Sequence, residues 1–482
     1  MKKMIANLPL ITKNCNLAMN LYCLKPVLFL LIFPWVAGLL NPVEEAAAQS
    51  RQVTGFYDVN VVDADANRII PHQNVLVENG KIKAIGGVGE LKFERRVRVI
   101  NASDKFMMPG LAEMHAHIPG IDNGLSLVEE TLFLYLANGI TTIRGMLGQP
   151  YHLELREMVN KEEILGPRIF TSGPSLNGNS VKSTEEAEQK VRAQKKAGYD
   201  FLKLHPGLTR ENFDEIVKTA NEVGIPYSGH VSVDVGIRRA IEAKYASIDH
   251  VDGYLEGLVP ASAGVAAHEN GFFGVNFTTL ADQDKIKELA KATKASGVWV
   301  VPTQRLLERW VGIVNPNEII KEEGMEFMNK NTLGQWVTSK KNFDRLYKLD
   351  EKTVSLFIDI RRNIIKALHD EGVGLLLGAD SPQVFNVPGF SIHHELQAMR
   401  DAGLTNSQVL VMGTGNPARF FGMEKDFGTI RIGAAADLVI LNDNPLEDLR
   451  HIKNNHGVMV RGKWLSREDI DKRLQVISAA HE

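Results

Sequence analysis

Met108-Pro-Gly-Leu-Ala-Glu-Met-His-Ala-His117 carries an apolar run out of a Pro-Gly turn and into a His-x-His pair. Read as a β-strand, the stretch alternates its side chains between two faces. His115 and His117 then share one face, and Ala116 turns back into packing. Two imidazoles on one face at a strand end can hold a divalent metal ion. With 14 histidines in 482 residues such a pair also arises by chance, so its weight depends on what the rest of the chain supplies.

Downstream of this stretch, strand and helix patterns alternate. A helix over 125–138 precedes Gly139-Ile-Thr-Thr-Ile-Arg144, and a helix over 153–165 precedes Arg168-Ile-Phe-Thr-Ser172. Ser183-Thr-Glu-Glu186 reads as a capping box opening a helix that ends at Gly198. Asp200-Phe-Leu-Lys-Leu204, Pro226-Tyr-Ser-Gly-His230, Ser247-Ile-Asp-His250 and Val298-Trp-Val-Val-Pro302 read as further strands, separated by helices and one irregular segment. A long helical insertion, 306–368, leads to Gly374-Leu-Leu-Leu-Gly-Ala-Asp380. Eight strands, each followed by a helix, make the count of a (β/α)₈ TIM barrel over 107–425. The ends read differently. Residues 49–106 hold short alternating strands (56–62, 75–77, 81–85, 96–100), and 426–482 hold matching pieces at 428–433, 437–441 and 457–463. A small β-sandwich domain built from both chain ends is expected, with the barrel inserted between them.

Chemistry in such barrels sits at the C-terminal strand ends. Read by that rule, His115 and His117 end strand one, Lys203 strand four, His230 strand five, His250 strand six and Asp380 strand eight. Taken singly, each histidine reads more readily as a hydrogen-bonded structural residue than as a ligand, Lys203 as a strand-edge charge and Asp380 as a turn or cap residue. Their joint placement at one barrel mouth points to a metal site. His205 shares the strand face of Lys203 and reads as a substrate contact, or as a ligand if one metal is bound. Arg144 could pair a substrate carboxylate or form a structural ion pair. His393 and His394 read as surface or capping residues, His394 also as a contact for a substrate carboxylate.

The chain resembles the amidohydrolase superfamily, specifically its imidazolonepropionase- and prolidase-like branch. The resemblance rests on 108–117, Gly139-Ile-Thr-Thr-Ile-Arg144, Phe201-Leu-Lys203, Gly229-His230, Ile248-Asp-His250, Gly378-Ala-Asp380, Asn416-Pro-Ala418 and Gly433-Ala-Ala-Ala-Asp-Leu-Val439. It implies two divalent metal ions, with zinc the leading choice and manganese, cobalt or iron equally suited to these donors. By it His115, His117 and Asp380 hold one ion, His230 and His250 the other, and carboxylated Lys203 bridges them. Charge logic agrees, because an ammonium beside two dications is disfavoured, whereas a carbamate can span metals about 3.5–4 Å apart. Asp380 is then the general base for a metal-bridging hydroxide. Two positions depart from the family pattern, Glu113 where Asp is usual and Gly145 where an acidic residue is common.

Lys2, Lys3, Lys13 and Lys25, an apolar run over 26–40 and Ala46-Ala-Ala48 read as an export signal over 1–48, with Met19 an alternative start. The alternative of an uncleaved anchor asks about fifteen apolar residues to span a bilayer, which is short. Both cysteines, Cys15 and Cys23, lie in that segment, so no thiol chemistry is expected of the mature chain. The residues after 48 carry 51 Lys+Arg against 56 Asp+Glu, net −5, which argues against nucleic acid or an anionic membrane as partner. The sequence thus describes a periplasmic or secreted metal-dependent hydrolase of an amide-type carbon–nitrogen bond, acting on a small molecule or short peptide; a homo-oligomer is compatible with it. The rivals are an Xaa-Pro-type dipeptidase or carboxypeptidase, a lactone or cyclic-amide hydrolase, and a non-catalytic binding protein that retains the fold.

Overall fold

In the computed structural model, residues 53–481 are described. The segment read as an export signal, with Cys15 and Cys23, lies outside them. Strands from both ends of the chain hydrogen-bond into one eight-stranded sheet. Its order runs Lys463–Ser466, Asn455–Val460, Leu438–Leu441, Phe106–Pro109, Thr54–Asp63, Arg68–Glu78, Lys81–Gly87, with Arg98–Asn101 also paired to Thr54–Asp63. The short strand Phe106–Pro109 locks the two ends together, lying parallel to Thr54–Asp63 on one side and antiparallel to Leu438–Leu441 on the other. Alternation explains the pairing, since Phe56, Val59, Val61, Val75 and Val77 share a buried cluster with Leu438, Ile440 and Met459. The expected strand at 428–433 does not form. Gly433 turns in a left-handed conformation, and the chain meets the Lys81–Gly87 strand through a bridge from Lys81 to Ala435 and a hydrogen bond from the Gly433 nitrogen to the Ile82 carbonyl.

Between the ends lie two parallel sheets. One has the order Leu111–Ala116, Ile140–Gly145, Arg168–Thr171; the other runs Trp299–Val301, Ser247–Asp249, Tyr227–Gly229, Leu202–Leu204. Isolated parallel bridges join Ser172 to Phe201, Val300 to Leu375 and Ala116 to Ser381. The expected eighth strand, 374–380, therefore contributes single bridges and no ladder. Its glycines bring it close to its neighbours: a Cβ at Gly378 would lie 2.6 Å from Val301 Cγ1 and 2.9 Å from the His115 nitrogen.

The helix expected over 125–138 forms as Leu125–Ala137, whereas the one expected over 153–165 opens earlier, at Pro150, and ends at Asn160. Thr184–Ala197 opens with Ser183 accepting from the Glu186 nitrogen and closes at left-handed Gly198. The insertion comprises Gln304–Val311, Pro316–Ile319, the 3₁₀ turn Met325–Phe327, Lys330–Tyr347 and Glu351–Asp370. The last of these buries Val354, Phe357, Arg361, Ile364, Ile365 and Leu368, a helical stripe. Among the described residues no helix is long and apolar enough to cross a membrane.

Candidate metal centre

The strand Leu111–Ala116 is buried along its whole length, and its pleat puts His115 and His117 on one side with their rings 5.5 Å apart. Lys203 is the middle residue of Leu202–Leu204 and is fully buried. His230 follows Tyr227–Gly229, where Gly229 (φ 131°) has no room for a side chain, since a Cβ would lie 2.2 Å from the Leu204 carbonyl oxygen. His250 follows Ser247–Asp249 and takes a left-handed backbone (φ 65°), as does Asp380 (φ 59°). Such conformations cost energy in residues with side chains and cluster at functional sites.

These turns gather all six side chains. The His250 ring lies 4.5 Å from those of His115 and His230. Lys203 Nζ is 3.5 Å from His115 Nε2. Asp380 Oδ1 accepts from His117 Nε2 at 2.7 Å and lies 3.7 Å from His115 Nε2, while its Oδ2 lies 3.8 Å from His250 Nδ1. One potential ligand atom each from buried His115, His250 and Asp380 falls within 4.8 Å of the others. His205 joins the group, its ring stacked 4.9 Å from that of His230.

The electrostatics suit a cation. Burial, then Lys203, holds the His115 imidazole far below its ordinary pKa; burial and the neighbouring imidazoles do the same to His250. His205 is pushed down to about 2 by burial and by Lys203 and His230. These rings are neutral near pH 7 and offer lone pairs. Burial alone would raise Asp380, but His115, His117 and Lys203 outweigh it and keep the carboxylate ionised. Burial likewise lowers Lys203, against the pull of Asp249 and Asp380. Neutral imidazoles converging on an ionised carboxylate fit divalent ions of the kind the sequence implied.

Several residues that the sequence did not single out hold this centre. Asp252 Oδ2 meets His230 Nδ1 at 3.0 Å and accepts from the Val231 nitrogen. Thr303, buried and left-handed at φ 43°, places its Oγ1 2.7 Å from His250 Nδ1. Ser175 Oγ is 2.6 Å from His205 Nδ1. Each contact uses one ring nitrogen and leaves the other free for an ion or substrate. Phe273, at a kink in the irregular segment, sets its ring 5.8 Å from His230 and 5.5 Å from His250.

Of the two readings open for Arg144, the structural ion pair is the one that forms. Arg144 is fully buried and spends its donors on the Met114 carbonyl, Ser247 Oγ and Asp249 Oδ1, so it cannot reach a substrate. Asp249, in the Ile248-Asp-His250 stretch, is the buried counter-charge of Arg144. His394, read also as a surface or capping residue, is half-buried and lies 3.2 Å from Arg309 Nη2. Trp310 packs on Phe272 and Phe343, and Trp336 edges onto Phe385, so the two fasten the insertion to the irregular segment and to the loop after Asp380.

The model of the amidohydrolase family matches residues 106–465. Ochratoxinase of Aspergillus niger is 23% identical over 478 residues, covering 85% of each chain. Among solved structures, bottromycin amidohydrolase superposes with a TM-score of 0.67 at 23% identity, over 89% of this chain and 90% of that one. A Xaa-Pro dipeptidase with methionine bound in its active site gives 0.62 at 17% identity, over 86% of this chain and 100% of that one.

Proposed function

The chain belongs to the amidohydrolase family, metal-dependent hydrolases acting on carbon–nitrogen bonds, and from that premise we propose that it is an exported enzyme cleaving an amide bond of a small molecule or short peptide. The observation that carries this reading is the convergence of four imidazoles, Lys203 and Asp380 in one buried cluster. We read the two parallel sheets and their bridges as a closed (β/α)₈ barrel over 107–425. The terminal sheet, from 49–106 and 426–482, we read as folded into a sandwich at the register shifts of Thr54–Asp63.

His115, His117 and Asp380 would hold one divalent ion, His230 and His250 a second, and Lys203, carboxylated, would bridge them. Bound there, such ions supply Lewis-acid polarisation of a carbonyl and acidification of water. Asp380 Oδ1 lies on the His117 side, where the first ion would be held, which leaves Oδ2 to take the proton of the attacking water and pass it to the leaving nitrogen. Neutral His205, fixed at Nδ1 by Ser175, presents Nε2 to the substrate. Phe273 covers the His230–His250 side and excludes solvent from it.

Because the likeness to ochratoxinase runs over 85% of the chain, ochratoxin belongs in the first substrate panel beside N-acyl amino acids, Xaa-Pro dipeptides and lactones. Purified with zinc and bicarbonate, the protein should hydrolyse amides faster than lactones. Dialysis against a chelator should remove the activity, and added zinc should restore it. Lactone turnover alone, or turnover that survives chelation, contradicts the proposal.

A further inference from the structure

Beneath the cluster lies a carboxylate with no place in the six-ligand set. Asp249 is fully buried in the strand Ser247–Asp249, and its two oxygens face opposite ways. Oδ1 accepts from Arg144 Nη2 at 3.1 Å and from Ser247 Oγ at 2.9 Å. Oδ2 lies 3.4 Å from Lys203 Nζ and, approached obliquely, 3.2 Å from His115 Nδ1. His115 Nδ1 makes no hydrogen bond in this geometry, and Asp249 Oδ2 is the carboxylate oxygen beside it. Arg144 is itself immobile, bonded to the Met114 carbonyl and Ser247 and enclosed by the Phe201 and Phe420 rings at 5.4 and 5.2 Å.

We propose that Asp249, clamped by Arg144 and Ser247, is a positioning residue that fixes two ligands at once: it keeps the proton of His115 on Nδ1 and holds the Lys203 nitrogen at the centre. This rests on the reading of His115 and Lys203 as metal ligands. A neutral imidazole carries one proton, and an acceptor at Nδ1 keeps it there. Nε2, the atom facing Lys203 and Asp380, then offers its lone pair outward. A carboxylated lysine retains one N–H, and Oδ2 stands where that N–H needs an acceptor. Because Arg144 and Ser247 fix which oxygen faces which way, the isosteric amide has a defined consequence. In Asp249→Asn the oxygen stays toward Arg144, and the NH₂ faces His115 Nδ1. A donor there drives the proton to Nε2 and turns the lone pair away from the centre.

The test uses metal-free protein labelled with ¹⁵N-histidine, the His115 signal being assigned by its loss in His115→Gln, together with zinc titration. Wild type should show His115 protonated at Nδ1, and Asp249→Asn at Nε2, with zinc affinity lowered about 10–100-fold. With ¹³C-bicarbonate, the carbamate signal of zinc-loaded wild type should weaken in the variant. Should the lone buried charge of Arg144 prevent folding, Arg144→Gln/Asp249→Asn, neutral at both positions and still oriented by the Ser247 Oγ donor at Oδ1, carries the same readouts. An unchanged tautomer or unchanged zinc affinity in the variant overturns the role of Asp249 and leaves the proposed function standing. A wild type that binds no zinc overturns both.

Discussion

Lys203 illustrates what single residues can and cannot announce. Its place in a strand put it on the inward face with His115, because a two-residue period fixes direction, and the structure brings Nζ within 3.5 Å of that ring. Asp249 was as easy to see in the sequence and was passed over. Its meaning depends on Arg144, more than a hundred residues away, and two opposite charges in separate apolar strands declare a pairing only once the fold sets them 3.1 Å apart. The lone amine predicts its own test. Lys203→Ala removes the only group able to become a bridging carbamate, so activity should fall at least about 1,000-fold, roughly 4 kcal/mol of barrier. A short-chain carboxylate such as propionate should recover part of it, because the space left behind accepts an oxygen ligand. Measured kcat with and without the acid decides the matter; a variant as active as wild type removes Lys203 from the chemistry.

Elements read well where periodicity was long and poorly where single contacts decided. The helix Glu351–Asp370 repeats its apolar stripe over five turns and was legible. The stretch 374–380 looked like a strand and is one only by position, since Gly374 and Gly378 let it press on its neighbours while Asp380 turns left-handed. The irregular segment after His250 has no period at all, and its role follows from one kink. Phe272 is anchored among Trp310 and Phe343, while Phe273, with φ 50° and ψ 40°, turns the other way onto His230 and His250. A half-buried ring contributes little to the core, so Phe273→Ala should cost under about 2 kcal/mol of stability. Its loss opens one wall of the site to water. The expected result is a KM for amides with apolar substituents raised about tenfold, about 1.4 kcal/mol, with that for small polar amides nearly unchanged. Steady-state kinetics on the two substrate types checks it, and an equal change for both places Phe273 outside the pocket.

At the scale of the molecule, the composite sheet was legible because both ends carry alternating strands that neither can complete alone; the single bridge at Ala435 was not, since it depends on one left-handed glycine. The whole fold also sets a pH response that no short stretch displays. His393 is pushed down to about 3 by burial, then by His394 and Lys453, and His394 to about 4 by burial, then by Arg309 and Arg305. His393 is tied in as a neutral donor: Asn138 spends its Nδ2 on the Leu134 carbonyl, so its Oδ1 accepts from His393 Nε2 at 2.9 Å. A histidine whose folded pKa lies below its unfolded value near 6.5 takes up protons more readily in the unfolded chain. Its stabilising contribution is complete above that value and is lost as pH falls toward the folded value, by up to about 1.4 kcal/mol per pH unit for each such group. Replacing His393 with Gln keeps a donor for Asn138 and removes the titration. Between pH 6.5 and 4.5, wild type should therefore lose up to about 2.7 kcal/mol more stability than His393→Gln, read from urea unfolding at the two pH values. Parallel losses in both proteins would mean that His393 takes up its proton in the folded chain as readily as in the unfolded one, and the contact with Asn138 would then have to be remade by a charged ring.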